Sequence, residues 1–120
     1  MKDTIHTTVI DSVYMQGVQA IRDREYELAA SLLGEYNDYN AAVAYCALDR
    51  NHSAMQILQK CEKTAQVNYM MAILYSRFSD EEKAVQCYLD ACRDNPQYVH
   101  RGNLDPEISS LIKKFNLHGQ

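Results

Sequence analysis

Four histidines (His6, His52, His100, His118) and four cysteines (Cys46, Cys61, Cys87, Cys92) are the side chains best suited to metal binding or nucleophilic chemistry. Their spacing suits neither. The histidines are widely separated, no two cysteines form a CxxC pair, and no HExxH, GxSxG or phosphate-binding glycine loop occurs. Cys87 and Cys92, if helical, lie roughly 140° apart around the axis and do not converge on one ligand. Among their Ala and Leu neighbours the cysteines read as small buried apolar residues carrying free thiols; a disulfide or a metal site is the alternative. Cys92 and His100 have the residue types of a nucleophile and its base, but nothing in the sequence places them together, so a structural cysteine and a surface histidine are expected. The acidic groups Glu25/Glu27 and Asp80/Glu81/Glu82 stand at expected helix starts, where the dipole favours negative charge. The chemistry-bearing residues therefore predict no enzyme, no cofactor and no metal.

At 120 residues the chain is long enough for one domain with its own core. A charged fraction of 23% and a hydrophobic fraction of 47% are those of an ordinary globular protein. The net charge of -4 gives no counterion-release drive toward nucleic acid, and Lys and Arg form no long run. No uncharged apolar run approaches the roughly 18 residues that span a bilayer, so no membrane insertion is expected. The opening MKDTIHTT lacks the layout of a signal peptide. A cytoplasmic location is expected if the chain is whole, and a cell-envelope location if it is a piece of a secreted protein.

Two Pro, four Gly and few runs of β-branched residues argue for helix throughout. Thr7 or Thr8 is expected to cap a first helix with Ile10, Val13, Tyr14, Gly17, Val18 and Ile21 at helical spacing. After a turn at residues 22–24, a second helix runs from about Glu25 to Gly34, a suitable residue to end it. Asp38 is expected to cap a third helix, Asn51 a fourth and Thr64 a fifth. Ser79 begins the capping box Ser-Asp-Glu-Glu ahead of a sixth, which stops before Pro96. Asp105 then Pro106 open a last helix with Ile108, Leu111, Ile112 and Phe115 along one side.

One phrase occurs three times: YMQGV at 14–18, YNAAV at 39–43 and YMMAI at 69–73. Each Tyr is followed 15 residues later by Ala, namely Ala29, Ala54 and Ala84. Small residues facing each other set the closest approach of two antiparallel helices. A constant offset between them is what a repeated helix–turn–helix unit requires.

These residues resemble the tetratricopeptide repeat family. The first unit matches through Gly17, Ala20, Tyr26, Ala29 and Leu33, and the third through Ala72, Tyr75, Ala84, Tyr88, Ala91 and Pro96. The middle unit keeps Ala42, Tyr45, Ala54 and Leu58 but has Asn51 where an aromatic is expected. The units start 25 and 30 residues apart, closer than the family's usual 34 or so. The resemblance implies an all-α fold of three stacked antiparallel helix hairpins, a right-handed solenoid at about 8–34, 38–62 and 64–95, with a capping helix at about 105–116. It places Tyr26, Tyr45, Tyr75 and Tyr88 between helices. It turns Tyr14, Tyr39 and Tyr69 toward a concave side, with Val18, Val43 and Ile73 one turn on and Arg22 and Arg77 one turn further.

Aromatic anchors beside Arg have the composition of a protein-binding surface. Tyr14, Val18, Arg22, Tyr39, Val43, Tyr69, Ile73 and Arg77 are therefore the expected partner-binding residues. The alternative is that these tyrosines pack on one another or on the C-terminal helix. The implied function is a non-catalytic scaffold for a protein or peptide. The tail VHRGNLDPEISSLIKKFNL after such a repeat is similar to the C-terminal part of large cell-envelope proteins of Bacteroidetes bacteria. That likeness implies a structural domain of a longer chain; a homodimerisation module is the remaining alternative.

Overall fold

The computed structural model describes residues 2–119, with their side chains from residue 12 onward. The described residues are all-helical, without strands. In order they form α1 (Lys2–Arg22), α2 (Tyr26–Leu33), α3 (Tyr39–Ala47), α4 (Asn51–Lys60), α5 (Ala65–Arg77), α6 (Glu81–Asp94), α7 (Gln97–Leu104) and α8 (Pro106–Phe115). None of these helices is long and apolar enough to cross a membrane.

The chain divides into two compact units, Met1–Lys60 and Cys61–Gln120. Within the first, α1 packs on α2, α2 on α3 and α3 on α4. Within the second, α5 packs on α6, α6 on α7, and α8 on both α7 and α5. Short connections between contacting helices make α1/α2, α3/α4 and α5/α6 hairpins.

The three hairpins share one turn. Arg24, Asp49 and Ser79 each adopt a left-handed backbone, with φ of 60°, 62° and 63°. The amide that follows each of them reaches back five residues, Glu25 to Ala20, Arg50 to Tyr45 and Asp80 to Tyr75, at 2.8–2.9 Å. This is the closing bond of a Schellman motif, which satisfies a carbonyl that the ending helix leaves over. The carbonyls of Glu25, Arg50 and Asp80 then accept from the amides of Ala29, Ala54 and Ala84. Those three alanines are 0% exposed, as are Ala42 and Ala72. A Cβ built on Gly17 would lie 2.5 Å from Leu33 of α2, so only glycine allows α1 to come this near.

The helix ends follow local chemistry. Asp38, Thr64 and Asp105 cap α3, α5 and α8 by accepting from Ala41, Val67 and Glu107 amides. Several expected ends differ. The first helix begins at Lys2, ahead of Thr7 and Thr8, whose side chains lie outside the described residues. Gly34 does not end α2 in a left-handed conformation: it has φ of -55°, opens a 3₁₀ turn through Tyr36, and leaves that conformation to Asn37 at 51°. The Tyr45 hydroxyl lies 2.7 Å from where a Cβ on Gly34 would sit, so a side chain there would require the tip of Tyr45 to shift. Ser79 is used by the turn, and Asp80 caps α6 by accepting from the Lys83 amide. Asn51 is the first residue inside α4. Residues 97–104 form a helix that the sequence reading left out.

Of the tyrosines placed between helices, Tyr88 is fully buried, whereas Tyr26, Tyr45 and Tyr75 are half-buried. On α8, Ile108 and Leu111 are buried, but Phe115, at the helix end, is exposed beside the Lys114 ammonium.

Candidate functional site

In the second unit the expected binding face of α5 is occupied by the unit's own last two helices. Tyr69 is 1% exposed and Ile73 is 6% exposed. The Tyr69 hydroxyl donates to Asp105 Oδ2 at 2.9 Å, while Asp105 Oδ1 accepts from the Glu107 amide at 3.1 Å. One carboxylate thus joins α5 to the start of α8. The Tyr98 ring of α7 stacks on the Tyr69 ring with centroids 4.8 Å apart and planes 27° from parallel. Burial first, and the hydrogen bond to Asp105 second, push the Tyr69 phenol well above its ordinary value. Arg77 gives Glu107 a two-pronged ion pair, Nε to Oε2 at 2.8 Å and a terminal NH₂ to Oε1 at 2.9 Å. Both partners are partly exposed, so solvent screens the pair and its main effect is geometric.

In the first unit Tyr14 is half-buried and donates to Asp38 Oδ2, while accepting from Asn40 Nδ2 at 2.6 Å. The ring of Tyr36 meets it edge-on at 5.0 Å. Burial first, then the bond to Asp38, raises the Tyr14 phenol above its usual range. Val18, Tyr39 and Val43 are half-buried and Arg22 is exposed. Of the eight candidates, five therefore belong to this unit and keep accessible surface, whereas Tyr69, Ile73 and Arg77 are built into the other.

Residues to which the sequence reading gave no binding role lie on α7 and just before it. Asn95, Gln97, Tyr98, His100 and Arg101 line an open concavity. The Arg101 guanidinium carbon stands 4.7 Å from the Tyr69 ring centroid and 5.7 Å from that of Tyr98. Among the described residues, no carboxylate or carbonyl accepts from it. Tyr98 and Arg101 are three apart, so one turn of helix puts both on the same side. That spacing, two residues after a Pro fit to start a helix, was the available signal.

Cys92 does not meet His100. Tyr88 stands one turn earlier on the same helix, and burial pushes the Cys92 thiol upward, away from the thiolate a nucleophile needs. Tyr88 also shares a 2.9 Å hydrogen bond with Nε2 of His118. All four cysteines are free, and among the described residues no group of three His, Cys, Asp or Glu is placed to hold a metal ion. Compared with known proteins, the chain matches no family model, no curated protein and no solved structure.

Proposed function

We propose that the chain is a tetratricopeptide-repeat-like solenoid of three stacked hairpins with a C-terminal cap, serving as a non-catalytic scaffold that binds a protein or peptide. The observation that carries this reading is the recurrence of one turn. The left-handed residues 24, 49 and 79 keep the same 25- and 30-residue spacing as Tyr14, Tyr39 and Tyr69. Sequence phrase and backbone geometry thus repeat together, as they do when one helix–turn–helix unit is copied. Scaffolds of this kind act through side chains that stand on rigid helices. In the first unit these are Tyr14, Val18, Arg22, Tyr39 and Val43; in the second, contact passes to Tyr98 and Arg101.

A second reading is association through exposed large apolar side chains, which both units carry. Met15 and Leu28 are 58% and 48% exposed, and Val13 is exposed as well. Exposed apolar side chains of this size suit contact with a second copy or with more of a longer envelope protein.

Selection of random displayed peptides on the full chain, with sedimentation equilibrium alongside, tests both readings. Enrichment of a convergent peptide whose binding falls on Tyr39→Ala supports the scaffold. A concentration-dependent dimer that Leu28→Glu dissociates supports the homodimer instead. A strict monomer that enriches no peptide overturns both.

A further inference from the structure

We propose that Arg101 and Tyr98 of α7 form a receptor for a carboxylate, and that the occupant is an Asp or Glu side chain of a peptide partner. The inference rests on the peptide-scaffold reading and adds the chemistry of what is bound. It concerns a helix outside the three repeated hairpins.

Tyr69 is the base on which this receptor stands. Its ring is buried, fixed at the hydroxyl by Asp105 and stacked on one side by Tyr98. Arg101 lies over both rings. A guanidinium held against aromatic rings keeps its N–H groups at the edge of its plane, available to an acceptor. Ordinarily a flexible arginine loses rotamer freedom on binding; here the rings have already restricted it, so less is lost. Among the described residues those N–H groups have no acceptor. A forked, cationic donor beside an aromatic wall fits a planar carboxylate, which accepts two parallel hydrogen bonds.

The surroundings decide between anions. Gln97, Asn95 and His100 also line it, and Arg101 is the one permanent cation among the lining residues described. A phosphate carries close to two negative charges and calls for a cluster of cations. A single arginine balances a single carboxylate. The net charge of -4 repels an acidic partner at a distance. Binding is therefore a short-range contact, sensitive to the fork itself.

The peptides selected on the full chain provide the probes. The expected result is that they share an Asp or Glu next to an aromatic or large apolar residue. Changing that acid to its amide should weaken binding about tenfold or more, the worth of a charge-assisted pair. Arg101→Gln should weaken it by a similar factor, and Arg101→Lys, which keeps the charge but loses the fork, by less. Arg101 is exposed, so the helical content of R101Q should match wild type. If it does not, the acid-to-amide peptide decides alone.

Selected peptides without an acid, or ones that bind R101Q as tightly as wild type, overturn the Arg101 receptor and leave the scaffold reading standing. Binding that appears only when the acid is replaced by phosphoserine overturns the carboxylate assignment. Enrichment of no peptide removes the scaffold reading and the receptor together.

Discussion

Two tyrosines place their hydroxyls on the aspartate that caps a later helix. Tyr14 donates to Asp38 at the start of α3, and Tyr69 to Asp105 at the start of α8. In each case the other carboxylate oxygen accepts from an amide of the helix it caps. Local capping and tertiary packing therefore share one side chain, and the tyrosine orients the cap. Tyr69→Phe removes only the hydroxyl and leaves the ring stack in place. It should cost about 1.5–3 kcal/mol by chemical denaturation, the worth of a hydrogen bond to a charged group; a variant as stable as wild type would show that the Asp105 contact adds nothing. The same groups set the alkaline limit of the fold. Tyr14, Tyr69 and Tyr88 all hold their protons more tightly when folded, mainly because burial disfavours the phenolate. Their contribution to stability is complete below the unfolded phenol value of about 10. It is lost as pH rises from there toward their folded values, because the unfolded chain releases protons first. Tyrosinate absorbance of the nine tyrosines should thus rise in two steps, the later one coinciding with loss of helix. A single step near the ordinary phenol range, with helix retained, would contradict the buried hydroxyls.

At the scale of elements, the shared turn carries a cost that can be removed. Arg24 is a long, unbranched residue at φ of 60°, where its Cβ crowds the following carbonyl. Glycine has no such clash but loses more freedom on folding. The balance predicts that Arg24→Gly stabilises the protein by about 0.5–1 kcal/mol in urea or thermal unfolding. Destabilisation would mean that the Arg24 side chain does more than occupy a turn. The opposite manipulation tests the crossings: Ala84→Leu puts three more carbons where nothing is exposed and should cost about 1–3 kcal/mol. The caps and crossings could be read from sequence because they depend on neighbours within a few residues. Asp38, Thr64 and Asp105 each act on an amide two or three positions on. The α7 helix could not be read this way. Its sequence QYVHRGNL holds Val99 and Gly102, poor helix formers, and buries little besides Gly102. What holds it is tertiary: a Cβ on Gly102 would lie 2.8 Å from Tyr88 and 3.0 Å from Ile108, so the glycine is there for close approach. Tyr69 follows the alternative of packing on other tyrosines and on the C-terminal helix, and which reading held could not be settled from sequence for the same reason. Periodicity identifies a face of α5, but one of the two helices that cover it, α7, is the one whose sequence signal is weakest.

At the scale of the whole molecule, the irregular repeat spacing falls at a definite place. From the left-handed turn residue to the next Tyr is 15 residues between the first and second hairpins and 20 between the second and third. The extra residues lie between Asp49 and Tyr69, where α4 ends at Lys60, Cys61–Thr64 form a connection, and the two compact units divide. The interactions that define the second unit have both partners within it: Tyr69 with Asp105, Arg77 with Glu107, Tyr88 with His118, and Lys114 with Glu81. So do the aromatic contacts of Tyr69 with Tyr88 and Tyr98. A chain of about 60 residues buries only some 60% of the surface its unfolded form exposes, so stability alone would be marginal. These long-range pairs close α5 against α8 and provide the cooperativity that a lone hairpin lacks. Residues 61–120 expressed alone should therefore be helical, unfold in one thermal transition, and keep the late-titrating tyrosines, with a midpoint below that of the full chain. A fragment without a cooperative transition would show that Tyr69, Asp105 and their neighbours reach this arrangement only with residues 1–60 present. The Arg101 receptor, which stands on the Tyr69 ring, would then be a property of the complete chain.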